Sequence, residues 1–321
     1  MVLPNSDLIF NKIDECDTIT IFGHVRPDGD AYGSAMGLKL AIDMFYPGKK
    51  TFAVVDDTWG VPTRLPKATK PNSLPIETIK DSLAITVDTP TVARLGDPRA
   101  INAKYLIKID HHPLVEHFGD AEFVDDSKCA NALIIADILY SRFPVISPDA
   151  AECLLLGILT DSGNLRFTTE ADAFNKAGRL ISNGANIKEI YDTIYASSLS
   201  NLRLKNKMLS QLKTKGKVAY CIFDLPWLKS LGQKADDIAP HVNLIGFTSE
   251  CPLWAFFAQY PDGSYRAEFR CNGDYDVSAI AALLGGGGHR QASGATLANR
   301  QEVLKAIDLL AVAKPSPEDQ D

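Results

Sequence analysis

The chain has 321 residues, 45% hydrophobic and 23% charged, which excludes wholesale disorder and collagen-like repetition. At roughly 150 residues per domain the length suggests about two domains, each able to bury a core. Lys plus Arg is 33 against 40 for Asp plus Glu, a net charge of -7, which argues against a broad basic face for long nucleic acid.

Residues 18–23 (TITIFG) read as a short buried strand and 34–45 as an amphipathic helix stopped by Pro47-Gly48. Residues 51–55, 83–87 (LAITV) and 105–109 (YLIKI) read as further short strands. Between Asp57 and Pro75 a loop carries Pro62, Pro66, Pro71 and Pro75, and reads either as a surface excursion or as a lid. Residues 131–140 and 148–160 read as helices, the second with Ser147 as N-cap and Pro148 at its first position. Strands alternating with helices predict an α/β fold with a mainly parallel sheet covered on both faces.

Residues 190–213 are expected to form a connecting helix. A second block follows, with a strand at 218–223 and strands at 254–260 and 265–271 flanking Pro261-Asp262-Gly263-Ser264, a hairpin signal. A short capped helix at 276–284 leads into Gly285-Gly286-Gly287-Gly288-His289. No internal repeat is visible.

None of the six cysteines (Cys16, Cys129, Cys153, Cys221, Cys251, Cys271) forms a Cys-x-x-Cys pair, so buried reduced thiols are expected. The N-terminus carries no signal-peptide pattern, and no apolar run approaches ~18 residues. These features predict a cytoplasmic protein.

Three predicted strands end directly in ionisable residues. The first runs into Gly23-His24-Val25-Arg26-Pro27-Asp28-Gly29-Asp30, the second ends in Asp88, and the third in Asp110-His111-His112. In an open parallel sheet, ligands collect at the carboxyl ends of strands. A fourth acid, Asp161, follows an apolar helix and leads into Ser162-Gly163-Asn164. His24, Asp28, Asp30, Asp88, His111 and Asp161 are the candidate metal ligands. Carboxylates converging in one cleft require raised pKa values or cations between them. Oxygen-rich sites with one imidazole each suit Mn²⁺ or Mg²⁺ better than structural zinc. Taken singly, an Asp after a strand is a turn or helix cap and a His-His pair is a polar loop. Their joint placement at strand ends argues for a site.

The set His24-x-x-x-Asp28-x-Asp30, Asp88-Thr89, Asp110-His111-His112 and Asp161-Ser162-Gly163 resembles the four motifs of the DHH phosphoesterase superfamily. The stretch Gly285-Gly286-Gly287-Gly288-His289-x-x-Ala292-x-Gly294 resembles that of the associated DHHA1 domain. Within the superfamily the chain looks most like the small two-domain nanoRNase/pAp-phosphatase type. The resemblance implies a DHH catalytic domain over 1–188, a connecting segment over 189–212, a smaller α/β DHHA1 domain over 213–312 and a disordered tail over 313–321.

The resemblance also implies residue roles. His24, Asp28 and Asp88 would hold one manganese ion. Asp30, Asp88, His111 and Asp161 would hold a second, with Asp88 bridging; Mg²⁺ or another divalent ion would suit the same ligands. Asp110 would orient the histidine pair, and His112 would face the phosphate and assist the departing oxygen. Asp88, Asp110 and His112 are thus the catalytic candidates. Arg94 and Asn164 would line the cleft. Arg270, Gly286, Gly287, Gly288, His289 and Arg290 would bind the nucleotide in the second domain, a guanidinium matching a terminal phosphate. Read alone, the glycine run is a linker and Arg270 a solvated strand end.

Three departures from the family pattern stand out. Cys129-Ala130-Asn131 replaces a Ser-Thr pair followed by an acid, Ser162 replaces Thr, and Ser293 replaces Ala. None touches a candidate metal ligand.

The activity implied is manganese-dependent hydrolysis of short 5′-phosphorylated RNA to mononucleotides, and of 3′-phosphoadenosine 5′-phosphate (pAp) to AMP. The alternatives are a phosphodiesterase of pApA or cyclic di-AMP and, from another class, a nucleotide-binding regulator without turnover. Neither a membrane nor long nucleic acid is an expected partner, and a homodimer is compatible with the pattern.

Overall fold

Five short runs, rich in β-branched residues, build the first sheet: β1 (Thr18–Phe22), β2 (Lys50–Val54), β3 (Leu83–Val87), β4 (Tyr105–Asp110) and β5 (Ala121–Val124). The computed structural model describes residues 6–57, 65–272 and 275–316. All five strands pair in parallel, in the order β2-β1-β3-β4-β5. The order reverses between β1 and β3, so the ligand-collecting crevice of such a sheet lies beyond the ends of these two strands.

The described residues fall into two compact units, Met1–Ala196 and Ser197–Asp321. In the first, the sheet is joined by helices α1 (Ser6–Glu15), α2 (Gly29–Phe45), α3 (Ile76–Lys80), α4 (Asn131–Arg142), α5 (Pro148–Asp161), α6 (Ala171–Ser182) and α7 (Ile187–Tyr195). Strand residues alternate between faces. Ile19, Ile21, Ile85, Ile107 and Ile109 enter the main core with Met36, Ile134 and Leu155. Phe22, Ala84 and Leu106 point to the opposite face, where Ile79 and Ala100 cover them. The expected covering of both faces is therefore present, with most of the helical mass on one.

Two elements differ from the sequence expectation. Helix α2 begins at Gly29 rather than at 34, because the Asp28 carboxylate accepts from the Asp30 and Ala31 amides at 3.0 and 3.1 Å. Such a cap stabilises a helix by about 1 kcal/mol. The single helix expected over 190–213 is two helices, α7 and α8 (Leu199–Leu209), interrupted at Ala196, Ser197 and Ser198. The Ser198 hydroxyl caps the second, accepting from the Asn201 amide. Residues 58–64 of the proline-rich loop and 317–321 of the expected tail lie outside the described residues.

Helices α2 and α5 pack unusually close. Gly29, Gly33 and Gly37 recur at every fourth position along α2 and face α5. A Cβ on Gly33 would stand 2.3 Å from the Cys153 carbonyl oxygen. This contact lays the start of α2, with Asp28 and Asp30, beside the end of α5, with Asp161.

The second unit holds a six-stranded mixed sheet: β6 (Lys213–Lys215), β7 (Val218–Phe223), β8 (Leu253–Gln259), β9 (Tyr265–Cys271), β10 (Gly287–His289) and β11 (Ala292–Leu297). Its order is β10-β11-β9-β8-β7-β6, with β7 and β8 parallel and the other neighbours antiparallel. Helices α11 (Val277–Leu283) and α12 (Arg300–Val312) pack on one face around Phe257 and Phe269. On the other, Met208 of α8 and the short helices α9 (Leu225–Ser230) and α10 (Ala235–Ile238) enclose Trp254 and Phe256. No helix among the described residues is long and apolar enough to cross a membrane.

Candidate metal centre

His24 follows β1, Asp88 follows β3, and His111 and His112 follow β4. Parallel pairing therefore brings them together at one end of the sheet. Asp28 and Asp30 enter from the start of α2, and Asp161 closes α5. All six candidate ligands gather in one place.

His24 Nε2 lies 3.4 Å from Asp88 Oδ2 and 3.8 Å from Asp28 Oδ1. His111 Nε2 faces three carboxylates, with Asp88 Oδ1 and Asp161 Oδ2 at 3.3 Å and Asp30 Oδ2 at 4.0 Å. Asp88 thus turns one oxygen to each group. Among the described residues three sets of metal-competent atoms lie together: His24, Asp28 and Asp88; Asp30, His111 and Asp161; and, overlapping both, Asp88, His111 and His112.

Supporting bonds aim these side chains. His24 Nδ1 meets the Val25 carbonyl at 3.0 Å, and His111 Nδ1 meets the Lys128 carbonyl at 3.1 Å. A carbonyl only accepts, so Nδ1 donates in both rings and Nε2 is turned to the acids. Asp30 is fully buried and accepts from the Asn131 and Ala132 amides of the first turn of α4, at 2.5 and 2.9 Å. Asp88 has φ of +53°, a left-handed conformation that Asp tolerates better than most residues. After α5, Gly163, Asn164 and Leu165 are all left-handed, which turns the chain sharply beside Asp161.

The electrostatics are those of acids crowded around too little positive charge. Burial, with the charges of Asp161 and Asp88, pushes Asp30 well above the usual carboxylate range. Burial and the charges of Asp28 and Asp88 raise Asp161 to about 6, against the pull of His111. Burial alone would lift Asp88 too, but the His111 and His24 imidazoles outweigh it and hold it low. Burial disfavours imidazolium, yet the facing acids raise His24 to about 10 and His111 to about 12. Asp88 Oδ1 and His111 Nε2 are buried without a hydrogen bond. Orphaned polar atoms facing one another across 3.3 Å, in an oxygen-rich set with one imidazole per group, fit divalent cations of the Mn²⁺ or Mg²⁺ kind.

Asp110 stands behind the pair of histidines. Its Oδ1 accepts from the His112 amide at 3.2 Å and meets His112 Nδ1 at 2.9 Å. His112 Nδ1 thus lies closer to Asp110 than to Asp88 Oδ1, which stands 3.5 Å away.

The cleft-lining candidates of the first unit differ in their setting. Arg94 is exposed in a short 3₁₀ turn, and its carbonyl accepts from the Val25 amide, next to His24. Asn164 donates to the Tyr195 hydroxyl at 2.7 Å, so its amide is tied to α7. In the second unit the Arg270 guanidinium donates to the Phe269 carbonyl at 2.8 Å and lies 3.3 Å from Glu268. The glycine run is not a linker: Gly287 and Gly288 belong to β10 and pair with Gly294 and Ser293 of β11. A Cβ on Gly286 would stand 2.1 Å from the Gly294 carbonyl oxygen. His289 is exposed and Arg290 half-buried, its carbonyl accepting from the Val277 amide.

Sequence reasoning missed the groups that aim the ligands, the amides of α4 and the Lys128 carbonyl, and it missed buried Lys108 beside Asp110. Lys108 carried a signal, being the one charged residue in the apolar run YLIKI.

A family model described as the DHH family, N-terminal domain, matches residues 18–158, and one described as the DHHA1 domain matches residues 215–313. The chain is 31% identical over 302 residues to the bifunctional oligoribonuclease and PAP phosphatase NrnA of Mycoplasma pneumoniae, across 92% of this chain and 93% of that protein. It is 30% identical over 317 residues to the protein of the same name from Bacillus subtilis, across 95% and 98%. An exopolyphosphatase-related protein from Bacteroides fragilis shares the fold, with a TM-score of 0.84 at 22% identity over 95% of both chains. The chain therefore belongs to the DHH family and is a metal-dependent phosphoesterase with a DHHA1 domain in its second half.

Proposed function

We propose that the protein is a manganese-dependent hydrolase of short 5′-phosphorylated oligoribonucleotides and of pAp. The observation that carries this reading is Asp88, whose two oxygens face two separate groups of candidate ligands. His24, Asp28 and Asp88 would hold one ion, and Asp30, Asp88, His111 and Asp161 the other. Two ions held there would neutralise phosphoryl charge and supply an activated water for in-line attack.

The remaining steps fall to the chain's own residues. Asp110 holds His112 by Nδ1, which leaves the rest of the ring to deliver a proton to the departing oxygen. Arg94, beside the His24 loop, would steady the phosphate, and Asn164 would line the cleft. In the DHHA1 unit, Arg270, Gly286, Gly287, Gly288, His289 and Arg290 would bind the nucleotide. The names of the Mycoplasma and Bacillus relatives support the substrate choice, and the net charge of -7 suits a short substrate better than a long one. Six cysteines without a disulfide fit a cytoplasmic location.

The test is a comparison of initial rates with Mn²⁺ on pAp, pApA, a 5′-phosphorylated RNA trimer, a long RNA and cyclic di-AMP, with Asp88→Ala as blank. Fastest turnover of the trimer and pAp is expected. Cleavage of cyclic di-AMP or pApA alone would overturn the substrate assignment, and no turnover at all would favour a nucleotide-binding regulator.

A further inference from the structure

Lys108 sits in the middle of β4 with no exposed surface. Lysine is rarely buried to this degree without a partner. Alternation along the strand puts Lys108 on the same face as Asp110, away from Ile107 and Ile109. Its ammonium donates to the Pro90 carbonyl at 3.0 Å and to the Glu116 carbonyl at 3.1 Å. It lies 3.7 Å from Asp110 Oδ2, a buried atom with no hydrogen bond, and 4.8 Å from the centre of the Phe118 ring.

These contacts join the two loops that carry the centre. Pro90 is two residues past Asp88, and Glu116 is four residues past His112. The same loops meet again where Glu116 Oε2 accepts from the Val92 amide at 2.9 Å. The Asp88 amide also donates to the Ile109 carbonyl at 3.0 Å. Lys108 is thus the cationic member of a short brace between the Asp88 turn and the Asp110-His111-His112 turn. Its ammonium also faces Asp110, whose other oxygen holds His112.

We propose that Lys108 is a positioning residue for hydrolysis. It supplies the buried counter-charge to Asp110 and pins the Asp88 and His112 loops together, so that Asp110 presents His112 to the leaving group. It touches neither substrate nor metal. This rests on the reading above that the Asp110–His112 pair serves hydrolysis.

The test compares Lys108→Met, Lys108→Gln, His112→Ala and the Lys108→Met/His112→Ala double variant, with Mn²⁺ binding followed by calorimetry. Lys108→Gln keeps a donor for the carbonyls but no charge, and it stands in should Lys108→Met not fold. The expected result is a 10- to 100-fold fall in kcat with KM within about twofold of the parent, the range typical for residues that orient an active group. Mn²⁺ stoichiometry stays unchanged, and adding Lys108→Met to His112→Ala costs less than about twofold further. A kcat equal to the parent in both Lys108 variants, or a full multiplicative loss in the double variant, would overturn the proposal. Failure of the underlying reading looks different: His112→Ala itself would then keep full activity.

Discussion

Asp88 Oδ1 stands 3.3 Å from His111 Nε2, both atoms are buried, and neither makes a hydrogen bond. The second oxygen of Asp88 faces His24 at 3.4 Å. Removing this carboxylate should therefore disturb both clusters. Asp88→Ala is expected to lose both Mn²⁺ ions in calorimetry and to lower activity by more than 100-fold, beyond the roughly 10–100-fold typical of residues that only support ligands. Asp161→Ala should lose one ion, since the His24, Asp28 and Asp88 cluster stays intact. A binding-only readout is the melting temperature. At about 100 times its Kd, each bound Mn²⁺ should stabilise the parent by about 2.7 kcal/mol and leave Asp88→Ala unmoved. Two ions bound by Asp88→Ala would refute the bridging arrangement.

Gly33 and Gly37 both lie where α2 meets α5, yet they meet different things. A Cβ on Gly33 would press on the Cys153 carbonyl at 2.3 Å and on the backbone of Gly157. At Gly37 it would meet Leu154 Cγ and Cδ2 at 2.7 Å and the Ala150 carbonyl at 3.3 Å, so a side chain rather than backbone takes the closest contact. Gly33→Ala is expected to destabilise by about 1–3 kcal/mol and Gly37→Ala by less. Because α5 ends in Asp161 and α2 begins at the Asp28 cap, Gly33→Ala should also weaken Mn²⁺ binding. Equal melting temperatures for the two variants would contradict this account.

The strand-end residues could be read in the sequence because β1, β3 and β4 are short apolar runs, each followed at once by an ionisable group. Asp161 was legible as chemistry, and the family resemblance set it beside Asp30, but nothing in its spacing did. Its place depends on the glycine row of α2, and spacing along a helix acquires meaning only when a partner helix is known. The strand β5 (AEFV) has four residues and no clean alternation, so the sequence carries no strand signal there. Lys108 stood out as a charge in an apolar run, but its burial was not legible, because burial on both faces of a parallel sheet is a property of the assembled fold. The break between α7 and α8 turns on a local serine cap inside a polar helical pattern.

Asp97 gives the site an acid-side limit on stability. Its buried carboxylate accepts from the Arg99 side chain at 2.7 and 2.9 Å and from the Asn72 amide at 2.9 Å. The next residues back along the chain pair with the His24 loop, the Val25 amide donating to the Arg94 carbonyl at 2.7 Å. Burial would raise the Asp97 carboxyl, but Arg99 and the Asn72 amide outweigh it and hold it below the usual range. A carboxyl depressed on folding adds stability above its unfolded pKa of about 3.9 and loses it as the pH falls through the lower folded value. The parent should therefore lose melting temperature below about pH 4 more steeply than Asp97→Asn. At pH 7 the variant should be the less stable by about 1–3 kcal/mol, since Arg99 loses a charged acceptor. Parallel pH curves would show that Asp97 contributes nothing specific.

The glycine run offers a contrast between adjacent residues. Gly288 has φ of +135°, and a Cβ there would lie 2.6 Å from Ser293 Cα. Ser293 cannot give way easily, because it is buried and its hydroxyl donates to the Val277 carbonyl at 2.8 Å. Gly287 has ordinary backbone angles and open space where a Cβ would go. Gly288→Ala is therefore expected to cost about 1–3 kcal/mol in the DHHA1 unit. It should also disturb Arg270, which reaches the Ser293 carbonyl at 3.4 Å. Gly287→Ala should stay within about 0.5 kcal/mol of the parent. Gly287 thus separates folding from recognition: a raised KM for pAp at unchanged stability would mean that this strand edge lies against the nucleotide. An unchanged KM would leave the glycines as requirements of the hairpin alone.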